Sequence, residues 1–355
     1  MFIKDLFAIS PQPTYDLQLE AGNIYEHVNK FYSALEPDYR EQIPSKILRR
    51  MGKAVRMGVG AGLPLINRNK KLDGIIIGSA NGGLEDCILF LNQIVDFNEG
   101  VLTPTNFVQS TPNALAGQLS IMSCNTGYNM THVNGSLAFE NALLDAQLFL
   151  EENIDDSTLL VGAVDEISPY NYNIDLLAGR FKSTPVSNRE LLNTNSTGSV
   201  CGEGATMFIV SNSSNEALVE VVDVAQITTT KFEQLIQLSS NLLNKHSISL
   251  GKNDLLILGK NGDNRTDHWY NVFSDLYPQA PFLYYKNLCG EYRTSSAFAC
   301  YFAVQIISGK LDRISGMFSQ IPELPNYTLI YNHFDGERHG LILLRKVDKN
   351  STVKN

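Results

Sequence analysis

The chain has 355 residues, 43% of them apolar and 18% charged, with 28 Lys and Arg against 37 Asp and Glu for a formal net charge of −9. That size and apolar share support a large buried core, as one big domain or two fused halves. The acidic balance, with no Lys/Arg run, excludes nucleic acid as an expected partner. No stretch approaches the roughly 18 consecutive apolar residues of a membrane helix. The N-terminal MFIKDLFAISPQPTYD has too short an apolar run for a signal peptide. The five cysteines (Cys87, Cys124, Cys201, Cys289, Cys300) are scattered, odd in number and free of Cys-x-x-Cys pairs. Neither a disulfide framework nor a zinc site is expected, and a cytoplasmic setting with reduced thiols fits.

In chain order, residues 1–70 carry helical patterning with basic residues, as in Ile43–Met57. Leu72–Ser79, rich in β-branched residues, predicts a buried strand, and Asn81-Gly82-Gly83 a turn into a helix over Leu84–Phe97. Thr111-Pro112-Asn113 predicts another helix start, with proline at an early helical position. Tyr128–Val133 precedes a helix over Ser136–Glu151, and Leu159–Val164 and Ala205–Val210 read as strands. The alternation then restarts. Leu218–Val224, Asp254–Leu258, Phe282–Tyr285, Tyr327–Asn332 and Gly340–Leu344 are strand-like. Lys231–Leu243, Arg265–Tyr277 and Thr294–Ser308 are helical, and Lys346–Asn355 is a polar tail expected to fray. The pattern predicts an α/β protein of two similar halves, 1–215 and 216–355, without an obvious sequence repeat.

Gly198–Asn212, GSVCGEGATMFIVSN, resembles the Gly-x-x-x-Gly-Glu-Gly-Ala stretch that leads into a strand in ketosynthases of the thiolase superfamily. Closely spaced glycines permit a tight turn there. Other pieces follow in the family's order. Ile77–Gly83 is similar to the early strand and glycine turn, Thr111–Gly117 to the Met-Pro-Asn segment, and Val161–Glu166 to the Gly-Gly-x-Glu strand end. Asn332–Gly336 stands where the family has its glycine-rich Phe-Gly-Gly loop, with Phe334 as the gating aromatic. The resemblance covers residues 74–345 and implies a thiolase fold, two β/α halves in five αβαβα layers, with no cofactor and no metal.

Ketosynthase chemistry uses a cysteine thiolate at a helix N-terminus and two histidines. In the family's spacing Gly135 and Ala142 place the nucleophile at His132. Counting back from Asp267, the first histidine falls on Gly259, and Lys286 and Gly290 place the second on Glu291. Nucleophile and both histidines are replaced together, while Lys286, Glu203 and Phe334 are retained. The pattern resembles chain-length factors, non-condensing partners of active ketosynthases in type II polyketide and related fatty-acid systems. Tyr128–Thr131 and Phe139–Leu143 are similar to the ketosynthase-like proteins of aryl-polyene, flexirubin and dialkylresorcinol pathways.

The resemblance implies a heterodimer with an active ketosynthase. Acyl carrier protein would be met through the partner, and Met130, Thr131, His132 and Phe139 would lie at the dimer interface or acyl tunnel. Lys286 and Glu291 are spaced to form a salt bridge in the emptied site. His333 and His339 lack the local partners of a metal site. Two readings stand beside this one: an active acyltransferase or malonyl decarboxylase using His132 or Cys289, and a homodimeric acyl-binding protein.

Overall fold

Buried strands without polar alternation need a hydrophobic layer on each face. Ile75 and Ile77 enter one core cluster with Met57 and Leu119, while Ile76, between them, enters another with Phe139 and Phe208. Leu255 and Ile257 face that same second cluster, and Leu256 and Leu258 a third around Trp269. Alternate side chains thus define three separate apolar layers around two sets of strands. The computed structural model describes residues 1–19, 22–69, 71–153, 155–311, 322 and 324–347.

The strands are β1 (Phe2–Ile9), β2 (Gly74–Ser79), β3 (Tyr128–Val133), β4 (Thr158–Asp165) and β5 (Gly204–Ser211). Then come β6 (Val219–Thr228), β7 (Leu255–Leu258), β8 (Phe282–Tyr284), β9 (Tyr327–Phe334) and β10 (Arg338–Lys346). They form one sheet in the order β8-β7-β9-β10-β6-β1-β5-β4-β2-β3. The first five strands and the second five share one order and one set of directions. Strand β2 is parallel to β3 and β4, as β7 is to β8 and β9, and the remaining neighbours within each set are antiparallel. Among the described residues the two sets pair where β1 meets β6, at Phe2–Glu220 and Ile3–Val219.

The main helices are α1 (Lys53–Arg68), α2 (Leu84–Asp96), α3 (Ala114–Ser123) and α4 (Ala138–Glu152). They continue with α5 (Pro169–Leu177), α6 (Phe232–Lys245), α7 (Asp267–Leu276) and α8 (Ser296–Ile307). Helices α4 and α8 touch strands of both sets and form the middle layer; α1 and α3 cover the first set, α6 and α7 the second. Helix α8 is buried at every position because it has sheet on both sides. This is the expected five-layer arrangement.

Several local expectations need correction. Ile43–Met57 is not one helix: a turn at Ser45–Leu48 is separated from α1, which begins at Lys53. Pro112 precedes α3 by two residues, and the prolines at helix starts are Pro104, opening Pro104–Gln109, and Pro169. Strand β1 emerges from the segment read as helical, and α5 was not foreseen. Of the expected polar tail, residues 348–355 lie outside the described residues.

Candidate functional site

His132, where the resemblance places the nucleophile, lies on the edge strand of the sheet. His132 is paired in register with Gly78 along β3. Its Nε2 stands 2.8 Å from Asp145 Oδ2 on α4, a carboxylate that also accepts the Tyr128 hydroxyl at 3.1 Å from Oδ1. The strand-to-helix turn comes two residues later. There Gly135 takes φ +55°, its N–H donates to Ala80 O, and Asn134 O accepts from Arg338. His132 lines neither of the two cavities described below.

The two positions where the resemblance places histidines, Gly259 and Glu291, have different surroundings. Lys286, with no exposure, donates from Nζ to Glu291 Oε2 at 2.7 Å, and the same oxygen accepts Asn261 Nδ2 at 2.6 Å. Backbone bonds fix Glu291 further: its N–H donates to Val200 O, and its carbonyl accepts from Gly202 N–H. The salt bridge expected from spacing is therefore present. At Gly259 a Cβ would overlap Asn332 Oδ1 and come 3.0 Å from the Tyr270 hydroxyl, so those groups occupy the space of a side chain. Asn261, two residues on, is the part of that loop that reaches Glu291.

Two cavities of about 40 and 30 Å³ flank Glu291, Tyr292 and Arg293. Such volumes hold a few waters, far below the ~300 Å³ at which ligand pockets begin. Arg293 forks onto buried Asp175 at 2.8 and 2.9 Å, and Arg180 reaches the same carboxylate at 3.1 Å and Asp335 at 2.8 Å. Both guanidinium groups lie over Phe334, 4.7 Å (Arg293) and 5.5 Å (Arg180) from its ring centroid. Gly336, at φ +68°, packs against Trp269 and donates its N–H to His333 Nδ1 at 3.2 Å. Burial, then the charge of Lys286, pushes the His333 pKa well below its usual value. The ring is thus neutral, with Nδ1 accepting the Gly336 N–H.

The other singled-out residues occupy varied surroundings. Glu203 is wholly buried and accepts from Ala34 N–H, Ile167 N–H and Lys53 Nζ at 3.0, 2.8 and 2.7 Å. Phe139 is also wholly buried, its ring 5.8 Å from Phe208, and belongs to the middle core instead of an outer face. Cys289 is sealed in that core, and burial drives its thiol pKa well up, the reverse of an activated nucleophile. Met130 and Val133 on β3 are 38% and 45% exposed, and Thr131 Oγ1 donates to Asn113 Oδ1. Among the described residues no group of three or more His, Cys, Asp or Glu is arranged to hold a metal. No described helix is long and apolar enough to cross a membrane.

Sequence reasoning missed Asp175, Arg180, Arg293 and Asp165. Asp165 joins the halves: Oδ1 accepts Ala80 N–H at 2.8 Å, and Oδ2 accepts the Thr294 N–H and hydroxyl at 2.9 and 2.7 Å. Its position closing the Val161–Asp165 strand end was a visible signal. The arginines stand in no motif and gave none.

Two like halves in five layers, with this pocket at their junction, define a thiolase fold. The family model for the beta-ketoacyl synthase N-terminal domain matches residues 26–250, and the chain belongs to the beta-ketoacyl synthase family. Among solved structures, the ishigamide ketosynthase/chain length factor is similar at TM-score 0.77 and 14% identity, with 98% of this chain and 99% of that one covered. A beta-ketoacyl synthase from Burkholderia phymatum STM815 gives 0.77 and 13% with the same coverage. The ketosynthase ApeO in complex with its chain length factor ApeC, from Xenorhabdus doucetiae, gives 0.76 and 14%, with 98% of each chain covered. At these identities the likeness concerns the fold. No curated protein sequence matches the chain.

Proposed function

We propose that this chain is a non-condensing, chain-length-factor-like subunit that pairs with an active ketosynthase in the cytoplasm and shapes its acyl tunnel. Its halves, 1–215 and 216–355, would be held as one rigid wall. The carrying observation is the refilled histidine space: Lys286, Glu291 and Asn261 form a closed hydrogen-bonded unit, and a Cβ at Gly259 would overlap Asn332 Oδ1 unless that side chain moved. Condensation needs donors aimed at a developing oxyanion, and here the groups at those positions are bonded to one another.

The pairing surface is supported by β3, the open edge of the sheet, with Met130 and Val133 exposed along it. An unpaired strand edge with apolar side chains is a template for another chain. Pathways of the aryl-polyene, flexirubin or dialkylresorcinol kind fit by resemblance, with acyl carrier protein engaged through the partner. The test is co-expression with candidate ketosynthases, comparing the parent with Met130→Glu/Val133→Glu. Charges on the edge are expected to abolish a 1:1 complex and shift product chain length. An intact complex with unchanged products would defeat the proposal.

A further inference from the structure

The two cavities share Asp175, Phe181, Glu291, Tyr292 and Arg293, so one cluster of side chains stands between them. Asp175 comes from α5 in the first half, and Arg293 follows the short turn of helix Lys286–Cys289 in the second. Asp335 and Phe334 belong to the β9–β10 hairpin. Asp175 is 2% exposed and has both carboxylate oxygens on guanidinium groups. Bidentate pairs of this kind are strong and geometrically strict. Their cationic planes in turn cover Phe334.

The geometry points to Asp175 as a latch: through Arg293 and Arg180 it clamps the Phe334–Asp335 tip of the β9–β10 hairpin and divides the pocket into two dead ends. Opening the pocket requires breaking these pairs, whatever partner the chain takes, so the inference stands independently of the proposed pairing. Asp175 is a positioning residue, acting on Phe334 only through the two arginines. Loss of its charge should free the hairpin tip without loosening the sheet beneath.

The experiment compares the full chain with Asp175→Asn by hydrogen exchange. The reporters are the Gly336 and Glu337 amides, which bond to His333 Nδ1 and Phe334 O, with β7 as internal control. The latch predicts exchange at the tip faster by about tenfold or more, with β7 unchanged. It also predicts binding of dansyl-undecanoic acid by the variant and not by the parent. An unchanged tip, or an equal rise in β7, would overturn it. If Asp175→Asn fails to fold, Arg180→Gln removes the Asp335 bridge from a partly exposed position. Tip exchange must then rise alone, and an unchanged tip again overturns the latch.

Discussion

Replacing Glu291 by alanine leaves Lys286 buried with no partner for its charge. In the native chain Lys286 Nζ has Glu291 Oε2 at 2.7 Å, and Asn261 Nδ2 loses that same acceptor. Deleting one side of a buried pair costs about 3–5 kcal/mol, and the stranded Asn261 amide adds about 1 kcal/mol. At ~2.1 cal/mol/K of unfolding entropy per residue, 355 residues carry roughly 0.75 kcal/mol/K. A loss of about 4–6 kcal/mol therefore lowers Tm by about 5–8 °C. Lys286→Met/Glu291→Leu removes both charges and keeps the volume, so its Tm should stay within about 2 °C of the parent. Calorimetry on the parent, Lys286→Met, Glu291→Leu and their double closes a mutant cycle that reads the coupling directly, with Glu291→Ala measured beside it. A single change that moved Tm by less than about 1 °C, or a double change as damaging as the single, would refute the idea of a sealed, refilled site.

Gly259→His, which restores the family residue type, should destabilise by about 1–3 kcal/mol in urea titration because Asn332 and Tyr270 already fill the space; a variant as stable as the parent would mean the site has room. Burial raises the Glu140 carboxyl to about 7, so the folded chain keeps a proton there that the unfolded chain has lost above its ordinary 4.5. Stability should then fall as pH rises from about 4.5 to 7, by on the order of 3 kcal/mol from this group. Glu140→Gln should flatten that slope in urea titrations at pH 5 and 8, and parallel profiles would contradict it. Iodoacetamide should label exposed Cys124 in the native protein and reach Cys289 only on unfolding; labelling of Cys289 at the rate of Cys124 would reopen a nucleophilic role.

The strands were legible because short buried apolar runs such as Gly74–Ser79, with three successive isoleucines, and Leu255–Leu258 are bounded by turn residues at strand length. Strand β1 was not, since Phe2–Ile9 mixes Lys4 and Asp5 with apolar residues and owes its place to β5 and β6, far along the chain. Family spacing located Lys286, Glu291 and Gly259, and the first two meet as their separation suggested. It also grouped Phe139 with the interface residues, although the middle helical layer buries it completely. The Asp175 cluster was invisible because Asp175 lies 118 residues from its partner Arg293, and Arg180 lies 155 residues from its partner Asp335. Only folding brings them over Phe334.

The measurement closest to the central claim is intact-protein mass after mixing the chain with acyl- and malonyl-carrier protein, alone and together with a neighbouring ketosynthase. The account predicts that this chain gains no acyl mass while the ketosynthase does, and that the two run as a 1:1 complex. An acyl group on this chain, mapped to His132, Cys289 or any other residue, would contradict it.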